Sequence, residues 1–462
     1  MINHFTQTIA AISTARQTAA LAVIRVSGDE AITICEKCIR FPSGKLLSLI
    51  PANTCKYCEI VKENGETIDT GLVTVFKAPH SATGEDTVEI SCHGGLYVSS
   101  CVLERVYECG AVPALRGEFT RRSFANGKIS LTQAENIGNI LYAQSDEEIK
   151  IANRNIKGKM KEATEEIYSD IVKVVSSIYA EIDFPDEGLE ELSSDEVRDS
   201  IDKVYSKLEK LEKSYKLGKA VVEGVKTCIC GKPNVGKSTL LNLLCREDRA
   251  IVTDISGTTR DIITESVICG KSKLILSDTA GIHDSDDKIE LIGIEKASNK
   301  IDESEFIILT LDSSKPLDKD DEYLIGKISE KKSSGIPVLV VINKTDIGNN
   351  DFEKELSGFN HVIKISAKDN SSYDKICSEI DDILTGDSVE SENDAVITNA
   401  RQHSNITRAL SFVKDAKTGL KNGTSFAGIS LENALASLGE LDGRNVTIEV
   451  VNDIFSRFCV GK

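Results

Sequence analysis

The stretch GKPNVGKST, residues 231–239, follows the short apolar run VKTCIC (225–230) and precedes the leucine-rich run LLNLLC (240–245). The first run predicts a buried strand and the second predicts a helix. Between them the pattern G-x-x-x-x-G-K-[ST] is complete at Gly231, Gly236, Lys237 and Ser238. In that setting backbone N–H groups and the helix N-terminus bind phosphate, the lysine contacts the β and γ oxygens, and the serine is a magnesium ligand. The stretch predicts a phosphate-binding loop in an α/β domain; a structural glycine-rich turn is the alternative.

Three further motifs follow in the order that a GTP-binding domain requires, each at the end of a predicted strand. The runs are KLILSDTAG (273–281), PVLVVINKTD (337–346) and HVIKISAKD (361–369), and the motif residues are Asp278, Thr279, Ala280 and Gly281, then Asn343, Lys344, Thr345 and Asp346, then Ser366, Ala367 and Lys368. Asp278 would hold magnesium through water. The Asp346 carboxylate can accept two hydrogen bonds from guanine N–H groups, which adenine does not offer. Because doubly wound sheets bind ligands at the carboxyl ends of their strands, the motifs predict a GTP-binding domain over residues 221–387.

The two segments around the second motif bear on catalysis. Ile282 follows DTAG, where many GTPases have a glutamine that orients water. Glu290, in the acidic stretch HDSDDKIELIGIEKA (283–297), is the candidate catalytic residue, although most acids of this stretch would form a solvated loop. In IVTDISGTTRD (251–261), Thr259 is the candidate second magnesium ligand. The Asn234 side chain and this oxygen-rich loop could line a monovalent cation site that neutralises charge as an arginine finger does elsewhere; the loop residues are Thr253, Asp254, Ile255, Ser256, Gly257 and Thr258.

Apolar residues recur at helical spacing on both sides of this domain. One stripe runs from Ile167 to Ile182 and another from Ile406 to Leu420. Neither flank has a core of its own, so we expect one helical bundle built from both flanks, with the GTPase inserted into it; two separate bundles are the alternative.

The first ~120 residues differ from these flanks, since LAVIRVSG, LVTVFKAP and DTVEISCHGG predict strands and DEAITICEKCI predicts a helix. The overall prediction is a multidomain α/β plus α+β fold. Its parts are an N-terminal α+β domain (1–120), the first half of a helical domain (121–220), the GTPase domain (221–387) and the second helical half (388–462).

Composition limits the functional classes. A chain of 462 residues is too long for one core, and no apolar run approaches the ~20 residues of a membrane span. The start MINHFTQTIAAIS lacks a signal-peptide pattern, so a cytoplasmic location is predicted. The net charge of −18 argues against a chain that binds nucleic acid broadly by its own field.

Thirteen cysteines are present, and in a cytoplasmic protein we expect them to be reduced and buried. The pairs Cys35/Cys38 and Cys55/Cys58 have the spacing of a zinc ribbon. The first pair lies in a predicted helix and the second in a predicted strand, which would turn Cys55 and Cys58 to different faces. Structural cysteines are therefore the preferred interpretation, with a metal site as the alternative.

The chain resembles the MnmE (TrmE) family of tRNA modification GTPases from residue 20 to residue 462. Besides the GTPase motifs, the resemblance rests on ALAVIRVSG, TGEDTVEISCHGG, GEFTRRSFANGKISLTQAE, EIDFPDE and the terminal FCVGK, whose Cys459, Gly461 and Lys462 match the C-x-G-K ending of the family. Two segments depart from it. Gln17, Thr18 and Ala19 replace a G-x-G, and Leu115 to Phe119 replace R-P-G-E-F.

The resemblance implies an N-terminal domain that binds a tetrahydrofolate derivative (5-formyl- or 5,10-methylene-tetrahydrofolate) and forms a homodimer. It implies GTP hydrolysis that potassium stimulates. With the flavoprotein MnmG (GidA), in a heterotetramer or larger complex, the family adds a (carboxymethyl)aminomethyl group to the wobble uridine of certain tRNAs, using the folate one-carbon unit.

The resemblance also implies roles for residues of this sequence. Those that contact GTP are Asn234, Val235, Gly236, Lys237, Ser238 and Thr239. Magnesium is held by Ser238 and Thr259, and potassium by Asn234, Thr253, Ile255 and Thr258. Glu290 is the catalytic acid, and Cys459 is a nucleophile or acid/base near the one-carbon unit. Folate contacts are Arg25, Glu89, Lys128 and Lys462; without the resemblance, Arg25 and Glu89 could be a strand-edge ion pair.

Two other functions are consistent with a GTPase domain. The first is a switch in ribosome assembly without covalent RNA chemistry, but such proteins usually add an RNA-binding module, and here aromatic content is 5% with no tryptophan to stack on bases. The second is a signalling or scaffold GTPase, which no feature supports. If the acidic chain acts on tRNA, we expect the partner to provide most of the RNA contacts and this protein alone to bind tRNA weakly.

Overall fold

The computed structural model describes residues 7–183, 194–245, 265–276, 301–350, 352–386, 394–420 and 424–462. Two units make up the chain, one formed by Met1–Gly138 with Gly439–Lys462 and the other by Asn139–Leu438. The predicted bounds of the four domain segments stay predictions. No helix among the described residues is long and apolar enough to cross a membrane.

The N-terminal unit is built on a seven-stranded sheet in the order β3-β4-β5-β6-β2-β1-β7, antiparallel except for the β1–β7 pair. Its strands are β1 (Ile9–Ile12), β2 (Leu21–Ser27), β3 (Ile39–Arg40), β4 (Thr54–Val61), β5 (Thr67–Phe76), β6 (Thr87–His93) and β7 (Val112–Pro113). Its helices are α1 (Ala31–Glu36), α2 (Leu96–Glu108), α3 (Glu118–Ala125) and the start of α4 (Leu131–Leu141). Alternate strand residues such as Ile24, Val75 and Ile90 are buried in one core with α1 and α2, as expected for a sheet covered on one face. The α+β prediction is confirmed.

The second unit contains a six-stranded sheet in the order β13-β12-β11-β8-β10-β9. The strands are β8 (Val225–Cys230), β9 (Glu265–Cys269), β10 (Ser272–Leu276), β11 (Phe306–Asp312), β12 (Val338–Asn343) and β13 (Val362–Lys364). All neighbours are parallel except β9, which pairs antiparallel with β10 at the edge. Every residue of β12 is buried, as in strands covered on both faces, and the predicted α/β fold is confirmed.

Helices of this unit lie before, within and after the sheet. They are α5 (Asp146–Ile156), α6 (Lys159–Asp183), α7 (Ser194–Lys213), α8 (Tyr215–Gly218), α9 (Lys237–Leu244), α10 (Lys319–Ser333), α11 (Ser372–Thr385), α12 (Ala400–Gly419) and α13 (Thr424–Asp442), and α14 (Ile448–Ser456) follows in the N-terminal unit. Helices from the two flanks pack on each other. Lys417 on α12 pairs with Asp202 on α7 at 2.6 Å, and Val204 and Val413 are buried. This is the packing that the single-bundle hypothesis predicts.

The cysteines behave differently from the prediction in one place. Cys269, at the end of β9, and Cys377, on α11, form a disulfide with their Cα atoms 5.0 Å apart. The expectation that these two cysteines are reduced was wrong, because the edge strand and the helix bring together two residues that lie far apart in the sequence.

The cysteines of the two C-x-x-C pairs lie on different elements and differ in exposure. Cys35 is buried on α1, and Cys38 is buried in the turn after it, because the helix ends at Glu36 and does not include both residues as predicted. On β4, Cys55 is exposed and Cys58 is buried. Across the residue ranges given above, no group of three or more His, Cys, Asp or Glu side chains could hold a metal ion.

Candidate functional site

The predicted phosphate-binding loop lies between β8 and α9, as the sequence predicts. Gly236 has a φ of +101°, and a Cβ atom there would lie 2.2 Å from Nδ2 of Asn343, so the position requires glycine. Lys237, Ser238 and Thr239 form the first turn of α9. The loop therefore presents a helix N-terminus at the carboxyl end of a central strand, which is the geometry that binds phosphate.

The Lys237 side chain curls back over this loop. Its Nζ donates hydrogen bonds to the carbonyl oxygens of Gly231 at 2.9 Å and Lys232 at 2.7 Å. Burial lowers the pKa of the Lys237 ammonium from its ordinary value, because a charged group loses solvation there. A bound phosphate would offer this ammonium a stronger acceptor than the two carbonyls.

Asn343, at the end of β12, joins the phosphate loop to the third motif. Its Nδ2 donates to the carbonyl of Val235 at 2.9 Å, and its Oδ1 accepts from the N–H of Ala367 at 2.8 Å. The side chain is 2% exposed, so both hydrogen bonds are shielded from water. One amide therefore fixes the phosphate loop and the Ser366–Lys368 segment relative to each other.

Lys344 makes a second connection to the phosphate loop. Its Nζ lies 2.6 Å from the carbonyl oxygen of Asn234 and 2.6 Å from Oδ2 of Asp312, the last residue of β11. Burial acts to raise the pKa of Asp312, but hydrogen bonds from Lys344 and Ser314 outweigh it and hold that pKa below its ordinary value. Sequence reasoning missed Asp312, although FIILTLD (306–312) ends a buried strand in an acidic residue, which is the signal that had pointed to Asp278.

A surface pocket of about 550 Å³ lies beside these contacts. Its walls come from the motifs at residues 343–346 and 366–368 and from the start of α11. They include Thr345, Asp346, Ser366 and Lys368. The structure thus brings together residues that are separated in the sequence. A pocket of this size, lined by a carboxylate and by lysine and serine side chains, can accept a purine base.

Several predicted site residues lie outside the described residues. They are Thr253, Asp254, Ile255, Ser256, Gly257, Thr258, Thr259, Asp278, Thr279, Ala280, Gly281 and Glu290. The second magnesium ligand, the rest of the potassium site and the catalytic acid therefore stay predictions.

In the N-terminal unit, Arg25 and Glu89 face each other on the neighbouring strands β2 and β6. Nε and Nη2 of Arg25 lie 2.9 Å and 2.8 Å from Oε1 of Glu89, and the guanidinium Cζ is 5.7 Å from the centre of the Phe119 ring. The ion pair that the sequence allowed is present, on central rather than edge strands. Lys128 lies just beyond the end of α3, and its Nζ donates to the carbonyl of Pro79 at 2.8 Å.

The C-terminal tail is docked against this unit. The N–H of Gly117 donates to the carbonyl of Cys459 at 3.3 Å, and the N–H of Phe119 donates to that of Lys462 at 3.2 Å. The Ser13 hydroxyl donates to the carbonyl of Gly461 at 3.0 Å. Phe119 thus contacts both Arg25 and the terminal residue. The side chain of Cys459, in the same tail, is exposed.

A buried charge network supports the segment that receives the tail. Arg122 is 1% exposed; its Nη2 lies 2.8 Å from Glu118 and its Nη1 lies 3.1 Å from Glu85. The Ser27 hydroxyl donates to the same Glu85 carboxylate at 2.8 Å. The sequence GEFTRRSFA does not indicate these roles, because the buried residues of α3 are mostly polar and form no apolar stripe. Removing one partner would leave a buried charge, which is costly.

Fold and site together define a P-loop protein with a guanine-nucleotide type of site, whose nucleotide domain is inserted between helical segments. Two family models match the chain, "MnmE helical domain" over residues 131–459 and "GTP-binding protein TrmE N-terminus" over residues 8–128. The chain belongs to the MnmE family.

Similar proteins share nearly the whole length. The chain is 36% identical to the tRNA modification GTPase MnmE of Geobacillus kaustophilus (strain HTA426), over 98% of this chain and 99% of the relative. It is 37% identical to the protein of that name from Thermotoga petrophila, over 98% of this chain and 100% of the relative. Among solved structures, Era with MgGDPNP and nucleotides of 16S ribosomal RNA is 27% identical with a TM-score of 0.27; the match covers 41% of this chain and 66%, just under two thirds, of that chain.

Proposed function

We propose that this protein hydrolyses GTP to drive a tRNA modification. With a flavoprotein partner of the MnmG type, it would add a (carboxymethyl)aminomethyl group to the wobble uridine of certain tRNAs, using a tetrahydrofolate one-carbon unit. The observation that carries the proposal is the docking of the C-terminal tail beside Phe119 and Arg25 in a chain that also holds a nucleotide site. The proposed reaction would place the protein in the cytoplasm.

The residues of the nucleotide site fit GTP. Asp346 lies in a pocket large enough for guanine, and Lys237 and Ser238 begin the helix that would face the phosphates. Ser238 and Thr259 would hold Mg²⁺, and Asn234 with Thr253, Ile255 and Thr258 would hold K⁺; these cations, when bound, neutralise charge on the phosphates. Glu290 is the proposed catalytic acid.

The residues of the N-terminal unit fit an anionic ligand with a polar ring. Glu89 can accept hydrogen bonds from ring N–H groups, and the cations of Arg25, Lys128 and Lys462 can pair with carboxylates. The tail would bring Cys459 to this ligand, where a thiolate can act as nucleophile or base. We propose that two copies of the chain associate through this unit.

The acidity of the chain is unevenly distributed. Nearly all of the net charge of −18 lies in residues 139–438, whereas residues 1–138 and 439–462 together are close to neutral. A strongly acidic unit repels the phosphate backbone of RNA. We therefore propose that the flavoprotein partner supplies most of the RNA contacts. Tight and steeply salt-dependent binding of tRNA by this protein alone would contradict that part of the proposal.

The experiment is a reconstitution. The protein, a flavoprotein partner of the MnmG type, GTP, a tetrahydrofolate derivative and unmodified tRNA are incubated, and the nucleosides are analysed by mass spectrometry. The modified uridine should appear with the wild-type chain and be lost in Cys459→Ser, while GTP hydrolysis is retained. Cys55→Ser, at another exposed cysteine, is the matched control and should keep both activities. No modified uridine with the wild type, or full activity in Cys459→Ser, would refute the assignment.

A further inference from the structure

The Asp312 carboxylate is held on both of its oxygens. Oδ2 lies 2.6 Å from Nζ of Lys344, and Oδ1 accepts from the N–H of Ser314 at 2.9 Å and from its hydroxyl at 2.6 Å. The side chain is 10% exposed. Asp312 is also the register partner of Asn343 across β11 and β12. The carboxylate is therefore fixed in one orientation at the edge of the sheet where the nucleotide site lies.

Lys344 carries this constraint to both halves of the nucleotide site. Its Nζ donates to the carbonyl of Asn234 in the phosphate loop, and its backbone continues into Thr345 and Asp346, which line the base pocket. Asn234 has a φ of +63° and Lys344 a φ of +65°. Side chains disfavour this left-handed region, so surrounding contacts must hold it.

We propose that Asp312 is a positioning residue for guanine nucleotide binding. By fixing the ammonium of Lys344, it holds the phosphate loop at Asn234 and the base pocket at Asp346 in the correct relative position before the nucleotide binds. Preorganisation of this kind raises affinity because less order has to be created on binding. The inference rests on the proposed function, namely that the chain binds guanine nucleotide, and adds a residue that acts through Lys344.

The chain offers a matched control on the same strand. Glu305 immediately precedes β11, at the end opposite Asp312, and its Oε1 lies 2.6 Å from Nζ of Lys219. This ion pair has the same length as the Asp312–Lys344 pair but lies away from the nucleotide site. Glu305→Gln therefore measures how far the loss of an ion pair on this strand changes the affinity for GDP when the contacts of Lys344 are left intact.

The experiment measures the affinity of the full chain for a fluorescent GDP analogue. Asp312→Asn keeps an acceptor for Ser314 but loses the charge that fixes Lys344, and it should raise Kd about tenfold, equivalent to about 1.4 kcal/mol. Lys344→Met removes the ammonium, so adding Asp312→Asn to it should change Kd less than about twofold, since the two residues act as one unit. Glu305→Gln should bind as the wild type does.

The outcomes separate the inference from the function on which it rests. If Asp312→Asn binds as tightly as the wild type, or weakens binding equally in the Lys344→Met background, Asp312 does not act through Lys344. If the wild type binds no GDP, the proposed function fails instead. If Asp312→Asn does not fold, Ser314→Ala is the second variant. It removes the hydroxyl hydrogen bond to Oδ1 of Asp312 and keeps the one from the Ser314 N–H, and it should raise Kd about threefold in the wild type and not in Lys344→Met. Unchanged affinity in Ser314→Ala would overturn the inference.

Discussion

Asn343 joins two segments of the nucleotide site, so its replacement should destabilise that site in the absence of nucleotide. Asn343→Ala deletes the donor to the Val235 carbonyl and the acceptor of the Ala367 N–H, at 2.9 Å and 2.8 Å. All three residues are buried, so water replaces these partners poorly. A buried polar group left without a partner costs about 1–3 kcal/mol, so the two groups together should cost about 2–6 kcal/mol, less whatever the loop recovers by relaxing.

The assay is scanning calorimetry of the full chain with and without GDP. The transition that GDP shifts to higher temperature identifies the nucleotide domain, because a ligand stabilises the state that binds it. Asn343→Ala should lower that transition in the absence of GDP. The control is Asn350→Ala, which loses one half-buried hydrogen bond, to Ser313 at 2.9 Å, and should cost about 1 kcal/mol. Equal midpoints for Asn343→Ala and the wild type would refute the bridging role.

Three further predictions concern other parts of the chain. The disulfide between Cys269 and Cys377 spans 108 residues, so C269A/C377A should reduce the free energy of unfolding by at most about 4–5 kcal/mol. The midpoint of the GDP-shifted calorimetric transition should fall accordingly, and an unchanged midpoint would contradict this. Gly461 has a φ of +98° and its Cβ would lie 2.3 Å from a β1 carbonyl, so Gly461→Ala should release the tail and speed carboxypeptidase cleavage. A hydrogen bond from Cys38 lowers the pKa of Cys109 to about 7, so its thiolate dominates above that pH. Iodoacetamide should label this buried thiol slowly, with a pH midpoint in peptide mapping below that of an ordinary cysteine, and Cys38→Ala should raise that midpoint.

Strands and helices were predictable from the sequence wherever apolar residues kept the same spacing along the whole element. Unbroken apolar runs such as PVLVV gave β12, and helical stripes such as the one through Ile171 gave α6. The order of the nucleotide motifs also placed Asn343 and Asp346 at one edge of the sheet, because the carboxyl ends of parallel strands meet there.

The contacts that join distant segments were not predictable. Nothing local in the sequence indicates that Cys269 and Cys377 meet, or that Asp312 fixes Lys344, since each pairing depends on how a strand or helix is placed in the folded sheet. The same holds for Phe119, which contacts the tail through its backbone and Arg25 through its ring. Sequence patterns indicate which face of an element is buried, and the tertiary fold decides what lies against it.

The most direct test of the account is GTP hydrolysis by the purified protein in potassium and in sodium buffers at matched ionic strength, with ATP as the alternative substrate. We expect that GTP is hydrolysed and ATP is not, that potassium increases the rate strongly, that Asn234→Ala abolishes the increase, and that Glu290→Ala removes the residual turnover. Equal rates with GTP and ATP would contradict the base pocket at Asp346. Equal rates in the two salts would contradict the cation site at Asn234 and would reopen a switch function without RNA chemistry.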